Sequence, residues 1–397
     1  MCVDIYENHT CSADAPARYV QAGLNLISFI MILAGNGLTI GVILTDRKLH
    51  NVSFLVLLNL AVSDFLVGVI SQPPSIYYAF TCVWPGGEEG ALCLAVGFFI
   101  CLLCSVSILS LAFVSYERYL YIVHPFEYPT RMRVGRGIFI CATLWGYSVL
   151  AAIFPVSGLW HGVGLLPDTA LCMVLWHSSL AYMLAMILLV LLPSALVIMY
   201  SYFQILRRAR VLSQLEAKHR QAVELQPVKI KNGSAPSSEE GRGTPDGAST
   251  PDARPYGEAV PPATPNTLRK MGVGNARKVA RVFVRERKSS ITTTVLIGTF
   301  LVCWTPYVSA HIAQAIRCRP MAFWESALTQ WLCLFNSACN PIVYGTTNVA
   351  FRDAVRRFLR RCGVCKKVYR NAKTTPCRTP VRGRGRDGYE EAERDDH

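Results

Sequence analysis

Asp64 stands in the middle of an apolar run, LNLAVSDFLVGVI, and Glu117-Arg118-Tyr119 closes another, LAVGFFICLLCSVSILSLAFVSYERY. Ionisable groups in such company are expensive unless they are partnered, and where a chain keeps them they usually do something. A further polar set lies in similar surroundings: Asn36 after Gly35, Ser107, and Asn336, Ser337 and Asn340 in LFNSACNPIVY. A lone Asp at that depth protonates or finds a partner. A ring of hydroxyl and amide oxygens from neighbouring helices can hold a hydrated cation beside it, and sodium is the abundant extracellular candidate. The same residues also suit a hydrogen-bond cluster with no ion. The Glu117-Arg118 pair raises a different question, namely what a charge pair gates at the end of an apolar run.

The elements that must position these residues are long. Seven apolar runs can each cross a bilayer: Tyr19–Leu44, Val52–Ile76, Ala91–Val114, Ile138–Leu159, Leu180–Tyr202, Ile291–Ile316 and Ala322–Tyr344. In hydrocarbon the backbone must bond to itself, so the runs are helices. The expected fold is an all-α membrane protein, a seven-helix bundle over residues 19–346. A soluble core with seven such blocks is improbable for 397 residues that are 52% hydrophobic. The net charge of +14 is not a nucleic-acid footprint: of 40 Lys and Arg, only Arg18, Arg317 and Arg319 fall on one side of the bundle. The Ile70–Ala91 and Ser157–Ser179 connections carry no Lys or Arg, and the facing loops carry Arg47, Lys48, Arg131, Arg133 and Arg136. Basic loops stay cytoplasmic. Residues 1–18 are therefore expected outside and the carboxyl terminus inside. MCVDIYENHT has no basic segment before an apolar core, so no cleavable signal is expected.

Outside the spans, Asn8-His9-Thr10 is a glycosylation acceptor on the expected outer side. Cys2, Cys11, Cys82, Cys93, Cys172 and Cys318 are the cysteines open to oxidation. The pair expected to bond is Cys93, which opens the third span, with Cys172, in the loop before the fifth; a Cys2–Cys11 bridge is a second candidate. The third cytoplasmic loop, about 211–275, is rich in Gly, Pro, Ser and charge at its centre and is expected to be disordered, with helical flanks extending the fifth and sixth spans. Residues 347–362 place Val349, Phe351, Val355, Phe358 and Leu359 mainly on one helical face and Arg on the other, an interfacial amphipathic helix. Cys362 and Cys365 follow it as palmitoylation candidates, and the tail from 363 to 397 is expected to be disordered.

Taken in order, Gly35-Asn36, Leu60-Ala61-Val62-Ser63-Asp64, Cys93, Glu117-Arg118-Tyr119, Trp145, Cys172, Pro193, Cys303-Trp304-Thr305-Pro306 and Asn340-Pro341-Ile342-Val343-Tyr344 resemble the motifs of the rhodopsin-like (class A) G-protein-coupled receptors. Each alone is short; nine in sequence, each in its own span, are specific. The resemblance implies no catalytic residue. It implies that Arg118 pairs with Glu117 and, at rest, with Glu286 at the foot of the sixth helix. When that helix swings out the latch opens, and the end of a G-protein α subunit enters the groove. Phe126 resembles the apolar knob that fits the α subunit. Pro193, Ile108 and Phe300 match a packing switch below Trp304, Pro306 bends the sixth helix, and Asn340, Pro341 and Tyr344 close the set. One departure is Ser201, eight residues after Pro193, where the family often has Tyr.

Amine receptors of this family carry an Asp seven residues after the third-helix Cys; here that residue is Ile100. The opsin lysine of the seventh helix would fall at Leu334. The resemblance thus points to an orphan-type member outside the amine and opsin groups. Pro74, Tyr78, Val96, Ile100, Cys101, Cys104, Trp304, Tyr307, His311, Gln314 and Gln330 are expected around its pocket. That lining suits a lipid-like or other small apolar ligand, or a receptor with basal activity whose loop aromatics, such as Trp160 and Trp176, fill the site. His311 would make binding pH-sensitive. The expected partners are a heterotrimeric G protein, the stimulatory type favoured by Phe126 and the basic helix extensions, with arrestin and receptor kinases. A receptor-like scaffold or heteromer partner is the alternative, and a small-solute transporter, which would show internal repeats, is a third.

Overall fold

The computed structural model describes residues 14–88, 90–157, 162–176, 180–224, 273–317 and 321–361; the side chains of 180, 212–213, 215–224 and 273–291 lie outside the description. Outside it too fall Cys2, Asn8, Cys11, Trp160, Cys318, Cys362, Cys365, the centre of the third cytoplasmic loop and the tail.

The elements run α1 (Ala15–Thr45), α2 (Val52–Thr81), α3 (Ala91–Val123), the short α4 (Tyr128–Arg131), α5 (Val134–Val156), strands β1 (Val163–Leu166) and β2 (Leu171–Val174), α6 (Leu180–Met186), a π turn at Ile187–Leu191, α7 (Leu192–Glu224), α8 (Val273–Arg317), α9 (Phe323–Thr347) and α10 (Val349–Arg361). Among the described residues six helices are long and apolar enough to cross a membrane: α1, α2, α3, α5, the fifth span built from α6 and α7, and the Thr292–Arg317 part of α8. The seventh crossing is α9, whose 25 residues carry Glu325, Gln330, Asn336 and Asn340 and so fall short of the others in apolarity. α3 is the axis of the bundle, buried on nearly all sides from Ile100 to Ser115, as a helix apolar all round must be. Among the described residues the one departure from an all-α fold is the antiparallel β1–β2 hairpin, with Leu165 opposite Cys172. Cys172 is bonded to Cys93, which fixes the hairpin over the amino-terminal end of α3. Gly97 makes that seat possible, because a Cβ there would come within 2.2 Å of Val163.

Prolines set much of the packing. A helical proline frees the carbonyl four residues before it, and in hydrocarbon that oxygen needs a donor. Pro341 frees Ser337 O, and Asn36 Nδ2 of α1 donates to it at 3.0 Å. The two helices can approach because residue 35 is glycine: a Cβ there would meet the Pro341 ring at 2.9 Å. Pro193 frees Leu189 O, and Tyr147 OH of α5 donates to it at 2.9 Å. The π turn directly before Pro193 absorbs the missing backbone bond.

The chain divides after Ala354 into two units. In the first, α10 begins at an Asn348 cap whose Oδ1 accepts from Phe351 N at 3.1 Å, and Phe351 and Ala354 are buried. The described part of the second is the remainder of α10, Val355–Arg361.

The Gly35–Pro341 contact predicts that Gly35→Val forces α1 and α9 apart at a cost of ~1–3 kcal/mol. Asn36→Leu strands Ser337 O for a similar ~1–3 kcal/mol. Thermal unfolding of the detergent-purified chain should show a lowered midpoint for both, whereas Gly298→Ala, where a Cβ meets nothing within 4 Å, should leave it unchanged or raise it, since alanine is the better helix former.

Candidate functional site

At one end of the bundle, the last turns of α3 carry Glu117, Arg118 and Tyr119. Glu117 is only 1% exposed. Its Oε1 accepts from Ser53 Oγ at 2.6 Å and from Tyr128 OH at 2.5 Å, and Arg118 Nε donates to Oε2 at 2.8 Å. Three donors, one of them charged, offset the cost of burying the carboxylate. Ser53 lies in the first turn of α2 and Tyr128 opens α4, so one carboxylate ties two further elements to α3. Burial, then the neighbouring Glu117 charge, push the Tyr128 phenol well above its ordinary value, which keeps it a donor. The Arg118 guanidinium also lies over the Tyr121 ring, 5.7 Å from its centroid. Tyr119 OH is 2.9 Å from His124 Nε2, and its ring meets Tyr200 of α7 edge-on at 5.6 Å. Phe126, in the turn before α4, is 46% exposed. Glu286 is part of α8, but its side chain is outside the description.

One level deeper, Asp64 is fully buried. Oδ1 accepts from Ser107 Oγ at 3.2 Å and Ser337 Oγ at 2.9 Å, and Oδ2 from Asn340 Nδ2 at 2.7 Å. The Asn36 that satisfies Ser337 O belongs to the same cluster. Asn36 Oδ1, Asn336 Oδ1 and Tyr344 OH are buried with no partner among the described residues. The donor set is carboxylate, hydroxyl and amide oxygen, which suits a hard cation.

Between this level and the hairpin lies a cavity of about 90 Å³. Its floor is Ile108 and Trp304, and β2 and Trp176 form its roof. Phe300 packs on Trp304 with centroids 5.6 Å apart, and Trp304 meets Tyr307 edge-on at 6.1 Å. Ile108 and Phe300 are buried, and Pro193, just after the π turn, is exposed. Pro306 sits within α8. Of the residues expected around the pocket, Ile100, Cys101, Cys104, Trp304, Tyr307, His311 and Gln330 line it. Tyr78, Val96, Gln314 and Pro74 do not. Tyr78 and Val96 are instead taken up in a core with Trp84, whose ring is 6.4 Å from that of Tyr78. Gln314 is buried a turn further out than His311. Among the lining residues the sequence reading missed are Met173 and Val174 of β2 and Met183, Ile187 and Val190 of the fifth span. Nothing in their chemistry marks them; only the π turn and the hairpin turn them inward. Trp176 stacks on Tyr182 at 5.7 Å, and its indole N–H donates to Tyr307 OH at 2.6 Å.

Residues 35–344 match the family described as 7 transmembrane receptor (rhodopsin family). The chain is 30% identical over 365 residues to the 5-hydroxytryptamine receptor 6 of Mus musculus, covering 92% of this chain and 76% of that protein. It is 29% identical over 340 residues to the D(4) dopamine receptor of Mustela putorius furo, covering 83% and 88%. In fold it is similar to squid rhodopsin, with a TM-score of 0.68 at 20% identity, covering 92% and 93% of the two chains. With a family match over most of its length and a helical bundle to go with it, the chain belongs to the rhodopsin family of seven-transmembrane receptors.

Proposed function

We propose that this receptor passes ligand binding, or its own basal activity, across the plasma membrane to heterotrimeric G proteins, foremost the stimulatory type, with its amino terminus outside. The observation that carries the reading is the buried Glu117–Arg118 pair held by Ser53 and Tyr128. A pair bound this tightly gives two distinct states when it breaks, not a gradual one. Exposed Phe126 beside it is the contact offered to the α subunit. Arrestin and receptor kinases follow as partners of an activated receptor, and Asn8, Cys362 and Cys365 as its modified residues.

The relatives are named for 5-hydroxytryptamine and dopamine, both amines. In this chain the wall position that would pair an ammonium is Ile100, 5% exposed and on the cavity. The ligand we propose is therefore small, largely apolar and not an amine of the usual kind. We further propose that a sodium ion is held by Asp64, Ser107, Ser337, Asn336 and Asn340; the unpartnered Asn336 Oδ1 supports it. When bound, the ion supplies the positive charge that Asp64 otherwise lacks among its hydrogen-bond partners.

Two outcomes test this. Guanine-nucleotide exchange on purified G proteins should rise with the reconstituted receptor. Phe126→Ala should weaken coupling by the ~2 kcal/mol of an interface hot spot with no change in unfolding midpoint, because the ring is exposed. Exchange at the receptor-free rate with every α-subunit class would leave the scaffold reading in its place. For the ion, replacing potassium with sodium at fixed ionic strength should raise the unfolding midpoint of the wild type and leave Asp64→Asn unmoved.

A further inference from the structure

The cavity wall carries a polar signature that the apolar reading leaves unused. Gln330 is 4% exposed, lines the cavity, and its Oε1 has no partner among the described residues. The indole Nε1 of Trp304, on the same cavity, is also buried without one. One is an acceptor and the other a donor, and an unmade bond at such a place costs free energy until something supplies it. Among the described lining residues there is no Asp, Glu, Lys or Arg, so neither an ammonium nor a carboxylate head finds an acid or a strong base to pair with. The lining also carries His311, whose ring packs against Tyr307 at 4.3 Å.

We propose that the cavity selects an uncharged ligand with an apolar body and a head that both donates and accepts a hydrogen bond, an alcohol or a primary or secondary amide, held by Gln330 and Trp304. This rests on the receptor reading above and deepens it. The apolar body packs against Ile100, Met183 and Val190. At about 90 Å³ the space is below the 300–1,000 Å³ usual for ligand sites, and Trp176 stands in its wall. The ligand gains its room by displacing that indole, which a stack on Tyr182 and a bond to Tyr307 hold in place.

The test uses four probes with one body and four heads: tryptophol, indole-3-acetamide, tryptamine and indole-3-acetate. Binding is measured by thermal shift and by calorimetry on the full-length receptor in detergent. The alcohol and the amide should bind at least about tenfold tighter than the amine or the acid, a gap of ~1.4 kcal/mol. Gln330→Leu should abolish that preference while leaving the unliganded midpoint unchanged or higher, since it removes an unpaired buried acceptor. Ile100→Asp should reverse the order in favour of tryptamine. Four equal shifts, tighter binding of tryptamine or the acid to the wild type, no binding of either neutral probe at millimolar concentration, or an unchanged preference in Gln330→Leu would each overturn the proposal. The readout involves no G protein. A chain that drives nucleotide exchange but shows no neutral preference sinks this inference alone, and one that shows the preference without exchange sinks the coupling reading alone.

Discussion

The bundle depends on finding donors for backbone carbonyls that proline has released inside a medium without water. Ser337 O is the clearest case. Asn36 reaches it across the helix boundary, and Gly35 is there so that it can. That bond also sets the register of α9, because Ser337 carries two roles: its carbonyl faces α1 while its hydroxyl faces Asp64. With that register fixed, Asn340 falls three residues on and donates to the other carboxylate oxygen. Tyr147 does the same for Leu189 O on the opposite side of the molecule, where the π turn needs anchoring. The prolines that permit bending are thus also the points at which neighbouring helices are tied.

Two buried carboxylates, Glu117 and Asp64, are handled in opposite ways. Glu117 has a guanidinium and two hydroxyls, so its charge is matched within hydrogen-bond distance. Asp64 receives a full set of bonds, but from neutral donors. Matched charge makes a good latch, since opening it is costly. A carboxylate with neutral partners beside unpaired amide oxygens makes a good receptacle. The cavity lies beyond Asp64 on the side away from Glu117, and Trp304 in its floor packs on Phe300 and meets Tyr307 at its edge.

Much of this was legible beforehand. Hydropathy alone drew the spans, and the polar residues within them marked Asp64, Ser107, Ser337 and Asn340 as neighbours because each is costly where it sits. Cys93 and Cys172 could be paired by their places at the ends of elements. What escaped was whatever depends on rotation about a helix axis. Tyr78 and Val96 read as pocket residues, but a loop tryptophan, Trp84, closes that corner and takes them into a core. Met183 and Val190 face the cavity through a π turn that no residue pattern announces. The partnership of Tyr128 with Glu117 was equally silent, since a tyrosine eleven residues downstream in a loop carries no mark of where its hydroxyl will point.

The modest apolarity of α9 has a consequence for biogenesis. The residues that make it useful, Gln330, Asn336, Ser337 and Asn340, are those that disfavour its partition into lipid as a lone segment. It must therefore enter the bilayer late, against helices already there, with Asn36 and Asp64 waiting to receive its amides and hydroxyls. Insertion of the last crossing and assembly of the polar interior become a single event, so a nascent chain that misplaces α1 or α2 would also lose its final span to the aqueous side.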